Sequence, residues 1–153
     1  LKSISNPTHN WKDYSLGRNS TLSLIPKNTT AVDAIEKCVP SLKDKLMGLS
    51  FRVPTNIVCS SDISLKVSKK CSLAELREFL KKISKIKKNI FKYEEENLVS
   101  IDHLGTNKSL IIDSNYLKVL NSKMIKIILW YDNEWGYSNR VIDIANLVLN
   151  KKK

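Results

Sequence analysis

Glycine is scarce: four residues, Gly17, Gly48, Gly105 and Gly136, are spread over 153 positions. No Gly-rich fingerprint that would let a backbone close around a dinucleotide pyrophosphate can be built from them. Three cysteines, Cys38, Cys59 and Cys71, stand at irregular spacing beside only two histidines, His9 and His103. They make neither a disulfide framework nor a zinc site, so no metal is expected. Cys71 lacks a paired histidine and reads as structural, and His103 has no companion that would give it a role. No apolar run approaches membrane-spanning length, which argues against a membrane protein. A signal-peptide pattern is also missing, and a reducing cytoplasm is the expected compartment. The first residue is Leu rather than Met, from which we expect truncation or processing at the N-terminus.

What the chain has in excess is positive charge, with 26 Lys and Arg against 15 acids and a net charge of +11. A basic surface can bind nucleic acid through its phosphates. Here the lysines are scattered, and the densest groups, Lys81-Lys82, Lys85, Lys87-Lys88 and Lys151 to Lys153, suit a solvated helix face and a frayed terminus. No aromatic-interleaved or recognition-helix motif accompanies them, so nucleic acid is disfavoured as the main partner. A hydrophobic content of 42% is enough for one ordinary core. We expect an exposed loop over residues 1–20, one domain over 21–150, and a basic tail over 151–153.

Several segments carry clear periodicity. Ala31, Ala34, Ile35 and Cys38 share a helical face that follows Thr29-Thr30 and ends before Pro40; the two hydroxyls can cap that helix or hold a phosphate. Leu49 to Thr55 alternates, with Leu49, Phe51 and Val53 on one face and Ser50 and Arg52 on the other. Ile57 to Val67 continues as a long strand with one drier face. Ser72 and Glu75 form a capping box opening a helix with Leu73, Leu76, Phe79, Leu80 and Ile83 on its apolar side. Leu98 to Ile101 and Leu110 to Ile112 read as short strands around a Gly105-Thr106-Asn107 turn. The expected fold class is α+β, a mostly antiparallel mixed sheet with helices packed on one face.

The chemistry concentrates in Trp130-Tyr131-Asp132-Asn133-Glu134-Trp135-Gly136-Tyr137-Ser138-Asn139-Arg140. Before it lies the apolar run Met124 to Leu129, which suits a covered strand. After it, Val141, Ile144, Ala145 and Val148 fall at helical spacing. The polar cluster therefore sits at a strand-to-helix junction. Asp132 and Asn133 can cap the helix there, but two Trp, a Tyr and a Gly around one Asn exceed what a cap needs.

This stretch, WYDNEWGYSNRV, resembles the C-terminal signature of the phosphorylating glyceraldehyde-3-phosphate dehydrogenase family. The resemblance runs from about Asn6 to the final helix and implies the catalytic domain of an NAD-dependent enzyme that oxidises a phosphorylated aldehyde to an acyl phosphate in glycolysis. It implies that Asn133 holds the nicotinamide carboxamide and that Tyr137 lies beside the nicotinamide ring. Phe51 to Thr55 matches the family's FRVPT motif, which places Arg52 against a substrate phosphate. Leu24 to Pro40 is similar to the family's IIPxxTGAAKAVxxVIP segment; Thr29 matches its phosphate-contacting Thr, while Thr30 replaces its Gly. Arg18 falls in the family's Arg-rich loop, where Leu16 stands in place of another Arg. The family's SCTTN-type nucleophile and its His base have no counterpart here, so no catalytic residue is assigned and the chain alone is expected to be inactive. The implied partners are the phosphorylated aldehyde, inorganic phosphate and further copies in a homotetramer. Two alternatives stand beside this reading: erythrose-4-phosphate dehydrogenase, kept open by Thr30, and a non-catalytic remnant acting as an interaction or RNA-binding module.

Overall fold

The computed structural model describes residues 22–150, which fall into two compact units divided between Asn56 and Ile57. The expected loop over 1–20, with Arg18, and the basic tail over 151–153 lie outside the described residues.

The first unit holds strand β1 (Ile25–Asn28), helix α1 (Ala31–Cys38), a short 3-10 turn (Pro40–Leu42) and strand β2 (Leu49–Arg52). β1 and β2 pair antiparallel, with Ile25 opposite Arg52 and Asn28 opposite Leu49. Pro26 is tolerated in β1 because a two-stranded sheet leaves one edge of each strand without a ladder partner. α1 closes with the Val39 N–H donating to the Ile35 carbonyl, after which Pro40 forbids another turn. The alternation expected in β2 is present, but its apolar side is the open one. Phe51 is 57% exposed, while Ser50 and Arg52 are half-buried. The apolar side of α1 is likewise uncovered, since none of its residues is buried.

The second unit is a four-stranded sheet in the order β3-β6-β5-β4, from β3 (Cys59–Lys66), β4 (Phe91–Glu94), β5 (Leu110–Leu120) and β6 (Met124–Tyr131). β6 pairs antiparallel with both β3 and β5, whereas β4 lies parallel to β5. The architecture is thus the expected α+β with a mostly antiparallel mixed sheet. Helix α2 (Leu73–Ile86) covers one face, and Leu76, Ile112, Leu117 and Ile125 form the buried core between them. The capping box is present: the Ser72 hydroxyl accepts from the Glu75 N–H at 3.2 Å and the Ser72 N–H donates back to the Glu75 carboxylate at 2.7 Å. The turn joining β5 to β6 places Asn121 and Ser122 at φ of 50° and 56°, a twist that suits antiparallel partners.

Two sequence expectations need correction. Leu98 to Ile101 is not a strand; Ser100–His103 is a 3-10 turn, because the Asp102 carboxylate accepts the Val99 N–H at 2.8 Å and offers the backbone a local alternative to pairing. The terminal helix α3 (Asn133–Asn150) starts within the signature itself rather than near Val141, so Asn133 to Arg140 form its first two turns.

Candidate functional site

The junction between β6 and α3 is built around Asp132, which is buried. One of its oxygens accepts the N–H groups of Glu134 and Trp135 at 3.1 and 3.0 Å, a side-chain cap for donors that no helical carbonyl can reach. Its other oxygen accepts the Gly105 N–H at 3.0 Å, tying the helix start to the turn before β5. Burial pushes this carboxyl up, but the Trp135, Gly105 and Glu134 N–H groups together outweigh burial and hold it below its usual range.

Positions 132, 136 and 140 succeed one another at helical spacing and form the inward side of α3. A β-carbon on Gly136 would lie 2.9 Å from the Lys108 carbonyl oxygen, so only glycine admits this approach of helix to loop. One turn on, the Arg140 guanidinium donates to the Asn89 carbonyl at 3.1 Å and the Ser109 hydroxyl at 3.3 Å, and pairs with Asp143 at 2.8 Å.

Anchoring through those three positions turns the neighbouring stripe outward. Asn133 and Tyr137 are one helical turn apart on it, and Tyr137 is 72% exposed. Since Asp132 supplies the cap, the Asn133 side chain is released from capping. Its amide Nδ2 donates instead to the Cys59 sulfur at 3.2 Å, across the end of the β3–β6 ladder where Cys59 faces Tyr131. Immediately before Cys59, buried Val58 holds a φ of 69°. A β-branched residue in that left-handed region stores about 1–3 kcal/mol, and such strain persists where surrounding packing over-determines the backbone.

A buried polar group supports β6 from behind. Asp113, only 2% exposed, accepts the Trp130 indole N–H at 3.0 Å and the Asn115 N–H at 3.0 Å, and β5 departs from regular pairing with β6 between Asp113 and Lys118. The His103 ring stacks on Trp130 with centroids 5.8 Å apart, and its Nε2 is buried without a hydrogen-bond partner. Burial lowers the His103 pKa, and the nearby Glu94 carboxylate does not offset it. Glu94 is itself buried, which pushes it up; its pairing with Lys92 at 2.6 Å and the Glu96 and Glu95 N–H groups pull it below the usual range.

Thr29, Thr30 and Arg52 belong to the first unit. The Thr29 hydroxyl accepts the Ala31 N–H at 3.1 Å and so serves the helix start, whereas the Thr30 side chain makes no capping bond. Thr30 sits at φ −87°, an ordinary backbone conformation for a β-branched residue, so nothing in its dihedral requires glycine. Arg52 faces Ile25, whereas Thr29 follows Asn28 at the opposite end of the β1–β2 register. That register separates the two by several strand residues, at about 3.3 Å each.

Cys59, Val58, Gly105 and Asp113 were not marked as site residues by the sequence. Asp113 had a usable signal, an acid interrupting the apolar run Leu110-Ile111-Ile112. Cys59 had none, because its partner is far away in the chain.

Fold and site together define one class: an α+β module whose terminal helix, pinned by a buried carboxylate, presents an amide and a phenol on an open stripe. Comparison with known sequences makes the assignment specific. The family described as glyceraldehyde 3-phosphate dehydrogenase, C-terminal domain, matches residues 2–133, and the chain belongs to this family. It is 40% identical over 148 residues to glyceraldehyde-3-phosphate dehydrogenase 1 of Kluyveromyces lactis, covering 96% of this chain and 44% of that protein. A cytosolic glyceraldehyde-3-phosphate dehydrogenase of Arabidopsis thaliana is 40% identical over 144 residues, covering 94% and 42%. The cytosolic one of Magnolia liliiflora is 40% identical over 148 residues, covering 96% and 43%. The chain therefore spans less than half the length of these relatives.

Proposed function

We propose that this chain supplies the C-terminal part of a phosphorylating, NAD-dependent glyceraldehyde-3-phosphate dehydrogenase of the cytosol, acting as a homotetramer. The observation that carries the reading is the division of labour between Asp132 and Asn133. Because Asp132 caps α3 and Cys59 takes the Asn133 Nδ2–H, the Asn133 Oδ1 remains available to accept an N–H from a ligand carboxamide. Tyr137, one turn on and exposed, offers a ring edge beside it. This donor and acceptor set fits a nicotinamide, and NAD when bound supplies the hydride acceptor.

The residues of this chain bind and orient. Asn133 fixes the carboxamide, which sets the face of the ring turned toward substrate, and a fixed orientation is worth far more to rate than to affinity. Arg52, half-buried on a strand, presents a guanidinium fork suited to the phosphate of the aldehyde or to the inorganic phosphate that receives the acyl group. Thr29 contributes a hydroxyl at the start of α1. The thiolate that attacks the aldehyde and the base that activates it come from the part of the enzyme matching the rest of the relatives' length. The relatives named above are all glyceraldehyde-3-phosphate dehydrogenases, which favours that aldehyde over erythrose 4-phosphate.

The test joins this chain to the preceding portion of the Kluyveromyces lactis relative and follows NAD reduction with glyceraldehyde 3-phosphate and phosphate. Turnover by the joined protein, with none from the chain alone, is the expected result. An inactive but folded joined protein overturns the reading.

A further inference from the structure

We infer that Cys59 is a positioning residue: its sulfur, by accepting the Asn133 Nδ2–H, holds the amide with Oδ1 turned to a carboxamide ligand. This rests on the nicotinamide role of Asn133 proposed above.

At an N-cap an Asn spends its side chain on the free N–H groups of the first turn, but Asn133 stands one residue inside α3, behind the cap. Here Asp132 has taken the Glu134 and Trp135 N–H groups, and the Asn133 amide reaches a residue on another strand, with Nδ2 3.2 Å from the Cys59 Sγ. Asn presents two chemically opposite ends on one planar group, a donor NH2 and an acceptor oxygen. A ligand carboxamide that donates its N–H needs the oxygen. A partner on the nitrogen side decides which end faces outward before the ligand arrives, and lowers the ordering cost of binding.

Cys59 is well placed to be that partner. It is half-buried and forms the last rung of the β3–β6 ladder, opposite Tyr131 and therefore two residues from Asn133 across the strand pair. The left-handed turn at buried Val58 sets the backbone just before it. The backbone just before the sulfur is thus fixed by packing at Val58, and the thiol can accept the amide N–H as it stands.

The experiment uses the joined protein described above, with Cys59→Ala and Cys59→Ser. Loss of the acceptor in Cys59→Ala should lower kcat about three- to tenfold, the range of one neutral hydrogen bond, leaving the KM for the aldehyde unchanged. Cys59→Ser, which restores an acceptor, should recover most of the turnover. In the chain alone, two-dimensional NMR should show the Asn133 side-chain amide protons shifted in Cys59→Ala and returned toward the parent in Cys59→Ser. Equal turnover in parent and Cys59→Ala, or equal loss in the Ala and Ser variants, overturns the role of Cys59 while leaving the dehydrogenase reading intact. A joined parent without turnover overturns the dehydrogenase reading and the nicotinamide role with it. Unmoved amide resonances in Cys59→Ala overturn the hydrogen bond itself.

Discussion

The Lys108 carbonyl oxygen lies 2.9 Å from the place a β-carbon on Gly136 would occupy. In most helices replacing Gly by Ala stabilises, by about 0.5–1 kcal/mol. At position 136 the obstruction is backbone, which cannot rotate aside. Gly136→Ala should therefore destabilise the chain, by about 1–3 kcal/mol as other overpacking changes do, read as a lower Tm. Gly48→Ala is the control: its nearest neighbours are side-chain methyls of Val32 and Thr29 at 3.1 and 3.3 Å, and the effect should be smaller.

Asp132→Ala should remove the cap of α3 together with its tie to Gly105. The loss should be at least the roughly 0.5–2 kcal/mol of a helix cap, seen in denaturant unfolding. The same carboxylate sets an acid limit. Its folded pKa lies below the ordinary 3.8, so its contribution is present above that value and is lost as the pH falls through the folded one. Asp132→Asn should flatten that part of the profile.

His103 acts in the opposite protonation sense. Buried and neutral, with a pKa below 6.5, it binds its proton more weakly folded than unfolded. Stability should hold above 6.5 and fall progressively as the pH drops below it, towards the folded pKa. His103→Phe should remove this dependence and keep the ring stacked on Trp130. Indole fluorescence at a series of pH values reads both effects; a histidine profile surviving in His103→Phe would assign it elsewhere.

Arg52→Ala, in the joined enzyme, should raise the KM for the phosphorylated aldehyde and the concentration of phosphate required, by about ten- to a hundredfold if a charge-assisted hydrogen bond is lost. Its Tm should barely move, because the side chain makes no salt bridge among the described residues. Unchanged kinetics would move the anion site to other residues.

Much of this was legible in the chain. Ser72 and Glu75 announced α2 because a capping box is a local pattern, and Pro40 announced the end of α1 for the same reason. The alternation from Ile57 to Val67 and the apolar run from Met124 to Leu129 announced two strands; that they pair with each other came from the structure. β4 was missed because four residues, Phe91 to Glu94, give too short an alternation to stand out between charged neighbours. The start of α3 was misplaced because the aromatic and polar residues from Asn133 to Tyr137 hide a helical period that Gly136 and Arg140 reveal only against the loop they touch. The open apolar sides of β2 and α1 show that periodicity fixes which residues share a face and says nothing of whether a neighbour covers it. The Cys59 bond to Asn133 joins residues 74 apart, beyond any local signal.

That separation has a kinetic consequence. The β5–β6 hairpin closes a short turn, pairing Leu120 with Met124, while β3 must find β6 across a much longer loop, from Lys66 with Met124 to Cys59 with Tyr131. Loop-closure entropy orders these events: hairpin early, β3 late. Substitutions in the hairpin should slow folding and those in β3 should mainly speed unfolding, as stopped-flow rates would show. The Cys59–Asn133 contact, at the far end of the last ladder to zip, is then among the last features to mature and the first to open, so exchange of the Asn133 amide protons times the assembly of the module.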